Sequence, residues 1–117
     1  MTLPRYLTPC TLELGGKSPC YVSDDCNLPV TLKRILWGKA TNMGQTCIAP
    51  DYLLCSREMQ NRIIKAMPAQ IKEFYGANPK ASPDLSRIVN QRHFNRLVGL
   101  LESSSGKAVI GEKWTHI

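Results

Sequence analysis

The chain reads as an α/β fold with at least partly parallel strand pairing. Short apolar or alternating runs of strand length are interleaved with longer segments of helical period, glycine- and proline-bearing turns fall between them, and from residue 19 on the order is β-α-β-α-α-β. Such an alternation brings consecutive strands side by side in the same direction, with helices as the crossovers.

Residues 10–14 alternate and are short enough for a strand, and Gly15-Gly16 stops them, which leaves Glu13 at a strand's C-terminal end. Ligands in open α/β sheets sit at that end. Residues 19–22 form a second short strand, followed by a polar loop over 23–27. Asn27 caps a helix that tolerates Pro29 in its first turn, and Leu28, Leu32, Ile35 and Leu36 mark one face until Gly44 ends it. Cys47 therefore follows a helix terminus. The run Tyr52-Leu53-Leu54-Cys55 predicts a buried strand, after which Ser56 caps a helix with Met59, Ile63, Ile64, Met67 and Phe74 inward. Pro68 inside that pattern predicts a kink or a split. Gly76 closes the segment, Asn78-Pro79 and Ser82-Pro83 make a loop, and a last helix from about Asn90 carries Phe94, Leu97, Val98 and Leu101 on one face. Residues 103–106 break it before a strand-like Ala108-Val109-Ile110.

A chain of 117 residues forms one domain with a moderate core and has no room for a separate dinucleotide-binding domain. No apolar run approaches the roughly 20 residues of a membrane span, and no apolar stretch behind a basic start marks a secretory signal, so the expected location is cytoplasmic. Five cysteines without a Cys-x-x-Cys pair, and two histidines far from them, point to free thiols and to no metal site. The net charge of +6 is spread over several segments without a basic stripe interleaved with aromatics, which reads as solvated helix faces and no nucleic-acid partner.

Two runs carry chemistry. Glu13 stands in Leu12-Glu13-Leu14-Gly15-Gly16-Lys17-Ser18-Pro19, and Cys47 in Gly44-Gln45-Thr46-Cys47-Ile48-Ala49-Pro50, thirty-four positions later. A carboxylate base and a sulfur nucleophile, each among glycines that let backbone approach a ligand, are the parts of a covalent mechanism. Taken singly, Cys47 reads as a small buried hydrophobe and Glu13 as a solvated or salt-bridged carboxylate, with Lys17 a candidate partner. Cys10, Cys20, Cys26 and Cys55 lack glycine-rich surroundings and read as core or surface thiols, while Arg92, His93 and Arg96 read as a polar helix face without a catalytic part.

Together, the Glu-x-Gly-Gly-Lys and Gly-Gln-Thr-Cys segments resemble the two active-site signatures of the aldehyde dehydrogenases. Similarity runs from about Leu7 to about Gly111; residues 13–21, 44–55, 73–76 and 87–94 look most like the class 3 branch, which acts on fatty and aromatic aldehydes. Residues 1–4 and 113–117 do not look like the family. The resemblance implies an incomplete portion of the aldehyde dehydrogenase fold, a partly parallel sheet with flanking helices, in which residues 1–22 end the coenzyme-binding domain and 23–117 are part of the catalytic domain. It implies oxidation of aldehydes to acids with NAD or NADP, Cys47 as nucleophile, Glu13 as the base that activates water, and Leu14 and Gly15 beside the coenzyme's nicotinamide end. Family members are several times longer, so the expectation is a truncated or alternatively spliced product that is inert as a dehydrogenase. The alternatives are a catalytically dead isoform that associates with full-length subunits or other partners, and a residual esterase needing Cys47 and Glu13 alone.

Overall fold

A computed structural model of the chain describes residues 7–111. Residues 1–4 and 113–117, set apart above by their departure from the family pattern, lie outside them. The elements run β1 (Ser18–Tyr21), α1 (Leu28–Ala40), a 3₁₀ turn (Thr41–Gly44), β2 (Pro50–Leu54), α2 (Arg57–Tyr75), a second 3₁₀ turn (Pro79–Ala81) and α3 (Gln91–Ser103). β1 and β2 pair in parallel, as the alternation predicted, with α1 as the crossover. Val22 extends the ladder, its N–H donating to the Leu54 carbonyl at 2.9 Å.

Side chains in a strand alternate between faces, and here one face is covered. Cys20, Val22, Leu53 and Cys55 turn toward α1 and α2, where Leu32, Met59 and Ile63 complete a buried cluster with Val22. Tyr21, Tyr52 and Leu54 turn the other way and are exposed. β2 is thus half-covered where the apolar run predicted burial on both sides, because no described element lies over the outer face. The core is smaller than the chain length predicts. The chain's Cα radius of gyration, 17.3 Å, exceeds the roughly 13 Å of a compact domain of about this size.

The helix starts follow their caps. The Asn27 side chain accepts from the Val30 N–H, and Pro29 fits the first turn, where a missing donor costs nothing. Ser56 Oγ accepts from the Met59 N–H at 3.1 Å and donates to Asp24 at 2.6 Å, which ties the start of α2 to the turn after β1. Asn90 caps α3 through the His93 N–H at 2.9 Å. Gly76 closes α2 at φ 77° and ψ −173°, a combination essentially confined to glycine.

Three expectations fail. Residues 10–14 form no strand: they are exposed and pair with no strand among the described residues. Residues 108–110 are likewise not a strand. α2 runs unbroken through Pro68, because both of its halves are held: Met59, Ile63, Ala66 and Met67 pack on the core, and Lys33 of α1 pairs with Glu73 at 2.6 Å beyond the proline. α3 keeps its apolar face, but no residue of it is fully buried.

Candidate active site

Cys47 sits in a turn built by backbone that few residues adopt. After α1, Asn42, Met43 and Gly44 all have positive φ (51°, 54° and 71°), a left-handed stretch that reverses the chain. Such a conformation costs a non-glycine residue roughly 1–2 kcal/mol, so surrounding contacts must hold it. Gln45 supplies several of them. Its side-chain amide donates to the carbonyls of Asn42 at 2.8 Å and Arg87 at 3.1 Å, and its Oε1 accepts from the Val89 N–H at 2.9 Å. Gln45 therefore fastens the Cys47 turn to the segment that leads into α3. Arg87 braces that segment in turn, donating to the carbonyls of Leu85, Ser86 and Lys80. The glutamine stood in plain view in the motif, but nothing local marked its partners more than forty positions away.

The Glu13 segment approaches the same turn from the other side. A Cβ at Gly16 would lie 1.9 Å from the Cys47 carbonyl oxygen, so glycine is required for the two backbones to come this close. Ser18 Oγ donates to that carbonyl at 3.1 Å. At Gly15 a Cβ meets nothing within 4 Å. The two adjacent glycines thus differ: Gly16 makes the contact between the motifs, and Gly15 faces open space.

Lys17 does not pair with Glu13. It donates to Asp51 at 2.7 Å, and Lys39 at the end of α1 stands 3.7 Å from the same carboxylate. Asp51 is free to do this because the parallel ladder slips one residue there: Ser18 faces Pro50 and Pro19 faces Tyr52, which leaves Asp51 as a bulge. One carboxylate consequently ties the Gly-Gly segment to both ends of the Cys47 turn. The Lys17 hydrogen bond holds the Asp51 carboxyl below its ordinary range against a smaller opposing desolvation, and the same bond raises the Lys17 ammonium above its own.

Three segments meet around a cavity of about 630 Å³, a size typical of ligand pockets. Glu13, Leu14, Gly15 and Gly16 form one wall, and Gly44, Gln45, Thr46 and Cys47 the second. Ile88, Val89, His93, Arg96 and Leu97 form the third. The structure brings the four residues singled out in the sequence, Glu13, Leu14, Gly15 and Cys47, to this one space. The thiol is exposed, not a buried hydrophobe. His93 and Arg96, read from sequence as a plain polar face, also stand on its wall; their spacing of three on one helix was the available signal.

In chemical terms the cavity offers an accessible thiol, a carboxylate, an unpaired stretch of backbone at Leu14 and Gly15, and an apolar side from Ile88, Val89 and Leu97. No group of three or more His, Cys, Asp or Glu side chains arranged for a metal occurs among the described residues. No described helix is long and apolar enough to cross a membrane.

Residues 2–113 match the model of the aldehyde dehydrogenase family, a span that takes in residues 2–4 and 113 and so corrects the narrower limits drawn from the motifs. Aldehyde dehydrogenase family 3 member A2 of Mus musculus is 59% identical over 98 residues, covering 84% of this chain and 20% of that protein. The dimeric NADP-preferring aldehyde dehydrogenase of Canis lupus familiaris is 54% identical over 102 residues, 87% of this chain and 22% of its own length. Among solved structures, the substrate-bound state of Staphylococcus aureus AldH superposes with a TM-score of 0.73 at 46% identity, over 86% of this chain and 22% of that one. The chain spans about a fifth of the length of the curated relatives it matches.

Proposed function

The chain belongs to the aldehyde dehydrogenase family, and from that premise we propose that it carries the nucleophile and base of an NAD(P)+-dependent oxidation of aldehydes to carboxylic acids. The observation that carries the reading is the shared cavity of Cys47 and Glu13, two groups far apart in sequence. The Cys47 thiolate adds to the aldehyde carbon, forming a C–S bond and moving the carbonyl electron pair onto oxygen. The Cys47 N–H is the donor we assign to that oxyanion, since the bonds that close the turn, Gln45 N–H to Asn42 and Ala49 N–H to Thr46, leave it out. A nicotinamide dinucleotide, when bound, supplies the acceptor for the hydride that leaves the same carbon. Glu13 then takes a proton from water, the resulting hydroxide adds to the thioester carbon, and the C–S bond breaks to release the acid and restore the thiolate.

The residues present fit the nicotinamide end of that coenzyme: Leu14 and Gly15 lie on the cavity wall outside the ladder, and the space beside Gly15 is open. They do not supply a phosphate cradle, because the described helices start from Asn27, Ser56 and Asn90 without the glycine-rich turn that a pyrophosphate needs. Ile88, Val89 and Leu97 suit an apolar acyl or aromatic body, in keeping with fatty and aromatic aldehydes as the substrate class. On this reading residues 1–22 end the coenzyme-binding domain and 23–117 belong to the catalytic domain, joined through the β1–β2 ladder, and the chain alone does not turn over. Five unpaired thiols favour a reducing, cytoplasmic setting.

Acylation by an activated ester tests the two residues without coenzyme. With p-nitrophenyl acetate, peptide mapping should find the acetyl group on Cys47, and Glu13→Gln should leave acylation intact while prolonging the adduct. An adduct spread equally over Cys10 and Cys47, or one whose lifetime ignores Glu13→Gln, sinks the assignment.

A second reading, association with full-length subunits, is favoured by the exposed Tyr21, Tyr52 and Leu54 on one side of the sheet and Leu100 and Leu101 on α3. Sedimentation of the chain with and without a full-length class 3 relative separates it: a monomer indifferent to the relative refutes association.

A further inference from the structure

The mechanism above leaves one strong charge on the cavity wall unused. Arg96 lines the same space as Cys47 and Glu13, six residues into α3. Its Nε donates to His93 Nδ1 at a long 3.4 Å, which orients the guanidinium without neutralising it. The ion pairs among the described residues are Lys17 and Lys39 with Asp51 and Lys33 with Glu73, so none engages Arg96. Glu13 shares the cavity but lies beyond ion-pair distance of it. The first turn of α3 holds no acidic side chain, and its free N–H groups add positive potential at this end of the helix.

A neutral aldehyde offers such a group a single carbonyl acceptor and no charge to match its own. A guanidinium presents a planar fork that matches a carboxylate through two parallel N–H···O bonds. Set beside the apolar Ile88 and Leu97, it forms the pattern that recognises an anionic head on a hydrocarbon body. We propose that Arg96 is an anion subsite of this cavity, binding the carboxylate of an organic acid held with its reacting carbon at Cys47. Two sources share that chemistry: the acid product itself, and a second carboxylate on the substrate. The inference rests on Cys47 being the reactive thiol of the cavity.

Alkylation of the intact chain reads this directly. Iodoacetate and iodoacetamide react alike, the thiolate displacing iodide as the C–S bond forms and the C–I bond breaks, and they differ in bearing a carboxylate or a neutral amide. The measured quantity is the ratio of the two rates at each cysteine, by peptide mapping. Exposed Cys10, outside the cavity wall, is the internal reference. A cation about 4 Å from the carboxylate, in a water-like dielectric, should raise the ratio at Cys47 over that at Cys10 by roughly five-fold. Arg96→Gln should return it to the Cys10 value, and about 1 M salt should do the same in the unmodified chain. Arg96→Lys should keep part of the preference, since charge remains and the fork is lost.

Equal ratios at Cys47 and Cys10, or a preference that survives both Arg96→Gln and high salt, overturns the subsite. Resistance of Cys47 to both reagents instead overturns the reading of an accessible catalytic thiol. If Arg96→Gln fails to fold, the salt titration of the unmodified chain decides alone. Replacing iodoacetate by 3-iodopropionate, whose carboxylate lies one carbon further out, separates the sources. A larger preference for iodoacetate assigns the subsite to the product, and a larger one for 3-iodopropionate to a second substrate carboxylate.

Discussion

Gly16→Ala should disable the thiol without touching it. A Cβ there would sit 1.9 Å from the Cys47 carbonyl oxygen, and real Cβ atoms do not approach closer than 3.0 Å, so one backbone must retreat by about 1.1 Å, the difference of the two. Neither side yields cheaply. The carbonyl is held by Ser18 at 3.1 Å and the turn behind it by Gln45, while the next residue along the Gly16 backbone is clamped to Asp51 at 2.7 Å. Overpacking of this kind costs about 1–3 kcal/mol of stability. A displacement of about 1 Å at a reacting centre costs up to about 10²-fold in rate. We expect Gly16→Ala to slow acetylation of Cys47 by p-nitrophenyl acetate by one to two orders of magnitude, roughly, on that basis. Gly15→Ala is the matched control: its Cβ meets nothing within 4 Å, so Cys47 should react as before. Equal behaviour of the two alanine variants would refute the argument that Gly16 sets the position of the thiol.

Two further outcomes follow from the same scaffold. The Asp51 carboxyl is held low by Lys17, so its contribution is full above the unfolded pKa and is lost as pH falls through the still lower folded value. Lys17 is held high, so its part is full below its unfolded pKa and is lost as pH rises through the folded one. The melting-temperature gap between the chain and Asp51→Asn should thus be flat near neutrality, begin to narrow as pH falls below about 4 or rises above about 10.5, and vanish only beyond the shifted folded values; a gap that persists at both extremes contradicts it. Gln45→Ala removes the bonds to Arg87 and Val89, each worth about 1 kcal/mol, and should speed hydrogen exchange at the Val89 amide by roughly five-fold or more. Unchanged exchange there would mean that Gln45 does not hold the third wall.

The local signals proved the dependable ones. Asn27, Ser56 and Asn90 cap the helices that their positions announced, because a cap needs nothing beyond three residues of its own chain. The parallel pairing of β1 with β2 was legible from alternation alone. Residues 10–14 misled for the opposite reason: alternation describes a strand's faces but supplies no partner, and the described residues contain none for it. Pro68 misled because helix packing on both sides outweighs one lost hydrogen bond. At the cavity, the resemblance of the two glycine-bearing runs to the aldehyde dehydrogenase signatures pointed to Cys47 and Glu13, and with them to Leu14 and Gly15. The roles of Gln45, Ser18, Asp51 and Arg96 depend on contacts between segments far apart in sequence, which no pattern within either segment encodes.

The half-covered sheet has a consequence for handling the chain. With two strands among the described residues, each is an edge there, and each presents a row of amides and carbonyls ready to recruit another backbone, alongside the bare tyrosines and leucine of the outer face. Pro19 in β1 and Pro50 in β2 interrupt those rows, since neither has a hydrogen to donate, and the bulge at Asp51 twists the second row out of line. Self-templated stacking is thereby blunted at the N-terminal end of both strands and left open near Tyr21 and Leu54, which is where fibril-type growth would begin and where a single lysine would best suppress it.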